Sequence, residues 1–487
     1  MKICLATVHQ NPRFIPLALL YIKAYLVEQK LCAFDAVTIA EFNPGTTADE
    51  IVSTIVRDTP DVVGLSCYVW NITVLMDVAR RIKALRPETI IVLGGPEVGP
   101  IAAAVMRRHS DVDVIVKSEG EVPFAELVEH WNRGADIRGV KGIFFRDGAT
   151  IVESGEAPPL LDLNLLSSPH LAELAEYADL RDRIACIETQ RGCVFKCNFC
   201  FYNKDLSIRN RRFDLDRVKQ EILFWLERDV YQIYLMDPVF NLYADRTKDI
   251  CRFIAEHNTR RVPFHAEVWA EFIDEELASL MRDANFTFLE VGLQTTDTTA
   301  LATVERRLKM EKFLQGIAYL KEYKLDFELQ LIYGLPGDTA ASFRKSLAFA
   351  VSLDPPDLAV YPLMVLPGTE LWRKADVIGL RFDPEPPYYV SSHRSMTAHE
   401  IAYGWKIVAA LRRFGDSKAL RLLGREKGVS FPDVVDSWIA WQADQPEAAL
   451  PEQVRLFLSH FCGEHDIPPG FYQGFAAREF AESPLVQ

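Results

Sequence analysis

Positive charge is in short supply: 54 Lys and Arg stand against 68 Asp and Glu, a formal net charge of −14 over 487 residues. Neutralising a phosphate backbone takes clustered cations, so this balance argues against a nucleic-acid-binding protein. The short basic runs Arg209–Arg212 and Arg306–Arg307 then read as solvated or local ion-pair sites. Long apolar runs are missing as well. The most apolar early segment, Pro16 to Val27, is too short to cross a bilayer and carries Lys23, so a packed helix is expected and no membrane span. Met1-Lys2 leads into a short apolar run and then HQNPR, a strand pattern rather than a signal peptide. Nine cysteines, odd in number and unevenly spread, do not make a disulfide framework, which points to a reducing cytoplasm. Low-complexity segments and short-period repeats are absent, which excludes a solenoid. At 49% hydrophobic and 25% charged, the composition is that of an ordinary soluble globular protein, and the length suggests about three domains.

The most informative stretch is Glu188 to Tyr202, ETQRGCVFKCNFCFY, where Cys193, Cys197 and Cys200 follow an Arg-Gly turn with spacing Cys-x3-Cys-x2-Cys. A closed structural zinc site wants a fourth Cys or His at comparable spacing, and none follows before Cys251. Cys186 is the alternative fourth ligand, but it lies in the strand-like run IACIET, where a free Cys behaves as a small buried hydrophobe. Three thiolates without a fourth suit an iron-sulfur cluster with one open iron, free to bind a substrate or cosubstrate.

Around this loop, strand-like and helix-like patterns alternate. Residues 2 to about 132 give five apolar strand runs (KICLATV, AVTIAEF, DVVGLSCYV, TIIVLGGP, DVDVIVKSEGE) with helices between, the pattern of a parallel sheet covered on both faces. A hairpin, GIFFRDGATIVE with Asp147-Gly148 as its turn, and a Pro-containing connector follow. From Cys186 about six further strand-plus-loop units predict a partial parallel β/α barrel with its chemistry at the carboxyl ends of the strands. Beyond Leu371 the pattern turns helical, with segments at about 397–414, 431–443, 450–462 and 471–481.

The cysteine loop, with Phe199 just before its last Cys, resembles the radical S-adenosylmethionine (SAM) superfamily. That resemblance implies a 4Fe-4S cluster on Cys193, Cys197 and Cys200, whose open iron chelates SAM and cleaves it to a 5′-deoxyadenosyl radical. Further elements match in order. Asp237-Pro238 with Phe240-Asn241 resembles the segment near the SAM amino group. Glu267, and Glu290 with Gln294 in EVGLQT, fall where SAM ribose and carboxylate are bound. Arg306 or Arg307 lies where relatives hold the SAM carboxylate, and Gly334-Leu335-Pro336-Gly337 matches the turn against adenine.

The N-terminal third is similar to the cobalamin-binding domain that precedes many such barrels. Ser66 and Gly94-Gly95 fall at its Ser-x-Leu and Gly-Gly elements, with Tyr68 in place of the Leu, and Pro16, Glu119 and Gly120 complete the implied cobalamin set. No Asp-x-His-x-x-Gly occurs, so no histidine motif coordinates cobalt from below. The expected fold is α/β: an N-terminal Rossmann-like cobalamin-binding domain (1–150), a linker (151–184), a central partial (β/α)6 radical SAM barrel (185–375) and a mainly helical C-terminal domain (376–487). The C-terminal part is expected to cap the barrel or to pack as a helix cluster, with Tyr388, Tyr389 and His393 lining a substrate cavity. The resemblance implies a cobalamin-dependent enzyme, expected to methylate an unactivated carbon of a small-molecule or peptide substrate, with a ferredoxin or flavodoxin as electron donor. Radical ring contraction or closure without methyl transfer, and a non-catalytic iron-sulfur protein, are the alternatives.

Overall fold

The computed structural model describes residues 1–172, 180–203, 210–414, 420–421, 428–443 and 450–465. The helix expected over 471–481 and the basic residue Arg209 lie outside the described residues.

Two sheets organise the chain, the first mainly and the second wholly parallel. The first contains β1 (Ile3–Val8), β2 (Val37–Phe42), β3 (Val62–Ser66), β4 (Ile90–Gly94), β5 (Val114–Val116), β6 (Ile143–Asp147) and β7 (Thr150–Glu153), in the order β2-β1-β3-β4-β5-β6-β7. β1 and β3 are buried along their whole length, because helices cover both faces. Helix Ala48–Val56 starts with a capping box in which Thr47 and Glu50 satisfy each other's free N–H groups. The hairpin does not belong to a linker. β6 pairs antiparallel with β5, so the sheet extends to Glu153, past the boundary expected at 150. Asp147 pairs with Thr150 and closes the hairpin, which leaves Gly148-Ala149 as the turn, with Gly148 at φ +61°.

The second sheet begins with β8 (Ile184–Ile187). After the ribbon strands β9 (Gln190–Arg191) and β10 (Arg211–Arg212), it continues through β11 (Gln232–Leu235), β12 (Phe264–Val268), β13 (Phe286–Gln294), β14 (Phe327–Tyr333) and β15 (Asp357–Pro362). β8 and β11 to β15 pair in parallel in sequence order and form the six-stranded partial barrel. From Leu289 to the end of β13, and along β14, the two faces alternate. Leu289, Val291 and Leu293, like Phe327, Leu329 and Leu331, are buried against the helices, while Glu290, Gln294, Glu328 and Gln330 take the other, partly exposed face. The segment after β1 lies along the free edge of β8, where Ile184 N–H donates to Arg13 O (2.7 Å) and Ile15 N–H to Ile184 O (3.3 Å), joining the two sheets.

The C-terminal helices Ala398–Phe414, Phe431–Gln442 and Leu450–Glu464 share one apolar core with the barrel, through Ile401, Val408, Trp438 and Phe457. Gly404 lets the first of them lie directly on β14, since a Cβ there would sit 1.8 Å from the Tyr333 ring. These helices therefore extend the outer helical layer, and helix Glu370–Ile378 runs across the boundary expected at 375.

Candidate active site

The cysteine loop leaves the carboxyl end of β8 and is held from below by Asp237, at the end of β11. This wholly buried carboxylate accepts from Thr189 N–H (2.7 Å), the Thr189 hydroxyl (2.5 Å) and Gln190 N–H (3.1 Å). The Gln190 amide donates to Val239 O (2.7 Å), which ties the loop to the next one. Burial pushes the Asp237 carboxyl up to about 7 despite these donors. Sequence matching placed Asp237 beside the SAM amino group. In the structure both its oxygens are engaged by the base of the loop, so it supports the cysteines.

Cys197 is buried, and Cys193 and Cys200 are partly so. Burial raises the Cys193 thiol above its ordinary value and pushes Cys200 up to about 12. Neutral thiols are thus favoured until a cationic centre displaces their protons. Among the described residues no three Cys, His, Asp or Glu side chains converge as on a single metal ion. An iron-sulfur cluster makes a different demand, because each thiolate sits on its own iron. Phe195 stacks on Trp269 (centroids 3.6 Å apart) and pins the loop to the end of β12, while Phe199 packs against the barrel core.

Arg306 and Arg307 separate clearly. Arg307 is exposed, whereas Arg306 reaches the loop: Nη1 lies 3.7 Å from Cys197 Sγ, Nη2 donates to Gly292 O, and the guanidinium sits 4.7 Å over the Trp269 ring. These groups border a cavity of about 540 Å3 lined by Val194, Lys196, Cys197, Trp269, Arg306 and Arg307. Gln294, at φ +68° where β13 bulges against β14, turns its amide toward Gly292, and its Oε1 is buried without a partner. An orphaned acceptor beside a guanidinium and a buried thiol fits a polar ligand with both donors and acceptors, as SAM is.

Deeper along the same face, Glu267, Glu290 and Glu328 stand at matched register on three neighbouring strands. Their mutual repulsion is offset by Tyr234 donating to Glu267 (3.0 Å), His265 bonded to Glu290 (2.8 Å), and Gln330 donating to both Glu290 and Glu328 (2.9 Å each). Burial, with Glu290's charge, pushes Glu267 up to about 8. Glu290 is only half-buried, and although burial raises it, its bonds with His265 and Gln330 bring it below the ordinary carboxylate value. The Gly334–Gly337 turn lies at the end of β14, with buried Pro336 inside it. Gly334 (φ +89°) faces Ile401 of the C-terminal helix, and Gly337 (φ +90°) faces helix Thr298–Thr303.

In the first sheet, Ser66 is buried at the end of β3, and half-buried Tyr68 stacks on Trp70 (centroids 4.4 Å apart, planes 6° apart). Trp70, 47% exposed, donates Nε1–H to Val8 O (3.1 Å), so the pair lies at the carboxyl ends of β1 and β3, where the strand order reverses. That crevice is the ligand-binding position of doubly wound sheets. A Cβ on Gly94 would meet open space, so a ligand can approach there. Gly95 (φ +104°) instead meets Cys67 O at 2.5 Å and is required by the packing of one loop on another. Pro16 is buried at the start of helix Leu17–Glu28, and Gly120 faces Ile22. Glu119 pairs with Arg211 at the junction with the cysteine loop.

Of the expected substrate contacts, Tyr388 is spoken for: it is buried, and its hydroxyl donates to the equally buried Glu97 of the first domain. Tyr389 packs edge-on to Trp405 (4.4 Å), and His393 is buried with Nδ1 accepting from Ser395 N–H (3.2 Å) and Nε2 unpartnered. Sequence reasoning does not single out Glu97, Trp70 or Arg191, and it reads Arg211 only as part of a solvated or locally paired basic run, whereas Arg211 is buried and paired with Glu119 from the first domain. Burial pushes Glu97 up to about 7, with the Tyr388 bond opposing. The folded value exceeds the ordinary 4.5, so the stability this group contributes is complete below about pH 4.5 and lost as pH rises through about 7. Glu97→Gln keeps the acceptor and removes the titration. Its Tm is expected to fall less than wild type between about pH 5.5 and 8.5, by ~2 °C in thermal melts.

Residues 187–350 match the model of the radical SAM superfamily, and residues 3–128 match that of the B12 binding domain. The fold and its loops thus define a radical SAM protein with a cobalamin-binding sheet in front of the barrel. The cobalamin-dependent radical SAM methyltransferase TokK of Streptomyces tokunonensis is 30% identical over 348 residues, covering 68% of this chain and 51% of that protein. An anaerobic magnesium-protoporphyrin IX monomethyl ester cyclase of Cereibacter sphaeroides is 25% identical over 383 residues, covering 74% and 61%. The solved structure of the cobalamin-dependent SAM radical enzyme OxsB, with aqua-cobalamin and SAM bound, superposes with a TM-score of 0.65 at 14% identity, over 98% of this chain and 78% of that one. The chain belongs to the cobalamin-dependent radical SAM family, named for SAM and cobalamin. The solved structure of TsrM from Kitasatospora setae, 16% identical with a TM-score of 0.65 over 79% of this chain and 78% of that one, holds cobalamin and a [4Fe-4S] cluster. The present chain spans about half the length of the TokK relative. No helix among the described residues is long and apolar enough to cross a membrane.

Proposed function

We propose that the chain cleaves SAM reductively and methylates an unactivated carbon of its substrate. The observation that carries this reading is the Arg306 guanidinium 3.7 Å from Cys197 Sγ, beside the orphaned Gln294 Oε1. Cys193, Cys197 and Cys200 would hold the cluster. Arg306 would bind the SAM carboxylate, Gln294, Glu267 and Glu290 its polar groups, and the Gly334–Gly337 turn its adenine. Cobalamin would lie over Ser66, Tyr68 and Gly94. When bound, the cluster with SAM supplies a carbon-centred radical and cobalamin supplies the methyl group. The protein's own share is orientation and exclusion: Asp237 fixes the loop, Phe195 and Trp269 cover it, and Arg306 sets where the SAM carboxylate sits.

In this reading the cobalamin domain covers residues 1–153, a connector follows, and the C-terminal helices form one unit with the barrel. A small-molecule or peptide substrate would lie between the two strand-end faces. A ferredoxin or flavodoxin would deliver electrons in a reducing cytoplasm. The cyclase relative favours a second reading, radical ring closure with no methyl transfer. SAM labelled in its methyl group separates the two. Methylation predicts label in the substrate fraction together with 5′-deoxyadenosine, whereas ring closure predicts 5′-deoxyadenosine with no label transferred.

A further inference from the structure

The cysteine loop is anchored at both ends to the first domain by ion pairs whose arginines are largely buried. Arg191 stands two residues before Cys193 and is the residue from which the loop departs. Its Nη2 lies 2.8 Å from Glu121 Oε1, its Nε donates to Glu188 (2.9 Å), and its guanidinium sits 4.9 Å over the Tyr21 ring. At the return end, Arg211 Nη1 donates to Glu119 Oε2 (2.9 Å) and to Leu160 O (2.7 Å). β9 and β10 pair Arg191 with Arg211, so the two clamps close one ribbon. The Arg191, Arg211 and Glu121 side chains are 12%, 6% and 8% exposed, so water screens the Arg191–Glu121 pair far less than a surface pair, while Glu119, 35% exposed, keeps one edge in solvent. Glu119 lies in the turn after β5, at the carboxyl end of the first sheet, and Glu121 opens the helix that follows, so the two flank Gly120.

We propose that Arg191 and Arg211 are positioning residues that make the cysteine loop's geometry depend on the β5 turn, so that cobalamin on the first sheet and SAM at the cluster bind cooperatively. This rests on the functional reading above, in which the two domains hold those two ligands. A ligand that orders the β5 turn also orders both arms of the cysteine loop through the clamps. By reciprocity, SAM at the loop then favours cobalamin by the same factor.

The test uses the full chain with its cluster reconstituted and SAM affinity measured with and without hydroxocobalamin. Wild type is expected to bind SAM at least about 5-fold more tightly with cobalamin present, and cobalamin is expected to alter the electron paramagnetic resonance spectrum of the reduced SAM-bound cluster. Glu121→Gln and Arg211→Lys are expected to retain iron and cobalt stoichiometry but to lose most of that dependence. A merely structural role would lower stability and leave the cobalamin dependence intact. The wild-type comparison needs no variant to fold. If wild type holds both cofactors and binds SAM equally well either way, or if both variants keep the full dependence, the proposal is overturned. Wild type that binds neither cofactor overturns the functional reading itself.

Discussion

Replacing Cys193, Cys197 and Cys200 together by alanine is expected to take iron from about four atoms per chain to near zero and to abolish 5′-deoxyadenosine formation. The fold should survive. The three thiols lie in a loop beyond the end of β8, and the apolar core is built from the strands and helices beneath it. Each single substitution should lose most of the iron as well, because each thiolate holds a separate corner of the cluster. Cys186→Ala is the control. Cys186 is buried within β8 and belongs to the core, so its loss should cost about 1 kcal/mol of stability and leave the iron bound. Iron analysis and far-ultraviolet circular dichroism on the same samples check both halves. Iron lost from the Cys186 variant and kept in the triple variant would mean that the ligands have been misassigned.

Asp237→Ala carries the second largest expected effect. The substitution leaves the Thr189 N–H, Thr189 hydroxyl and Gln190 N–H without an acceptor in a site closed to water. At ~1–3 kcal/mol for each buried unsatisfied donor, the loss is expected to be about 4 kcal/mol, concentrated at the base of the cysteine loop. Asp237→Asn should be far milder, about 1 kcal/mol. Its amide oxygen still accepts from the two N–H groups, and its NH2 can donate to the Thr189 hydroxyl. Denaturation midpoints and iron content after anaerobic reconstitution should therefore rank wild type, Asn and Ala in descending order. If Asp237→Asn fell as far as Ala, the charge itself would be in use, as a direct contact with the SAM amino group requires.

The elements legible in the sequence are those whose chemistry or backbone demands are local. The cysteine triplet declares itself by spacing, and Gly334 and Gly337 occupy left-handed conformations that favour glycine at just those positions. The strand in FTFLEVGLQT is legible as an apolar run ending in a loop, and from Leu289 onward its residues alternate between the helices and the concave side. Long-range pairings could not be read in this way. Tyr388 and Glu97 are 291 residues apart, and Arg211 and Glu119 are 92 apart, with no local pattern that marks them as partners. Tyr388 therefore looked like a free aromatic in a loop when it is engaged across the interface between the domains, and nothing local marks Glu119 as the partner of Arg211. The hairpin was recognised, but its place at the edge of the first sheet depends on pairing with β5, which its own residues do not encode. Asp237 was recognised as part of the site, but its orientation beneath the loop emerges only when β8 and β11 lie side by side.

The most direct measurement is made on protein purified without oxygen from cobalamin-supplied cells: iron and cobalt per chain, followed by 5′-deoxyadenosine formation on reduction with SAM. The account predicts about four irons and about one cobalt per chain, with 5′-deoxyadenosine appearing only when reductant and SAM are both present. A fully loaded cluster that yields no 5′-deoxyadenosine under conditions that reduce it would contradict the account and leave a protein that binds iron and sulfur without radical chemistry.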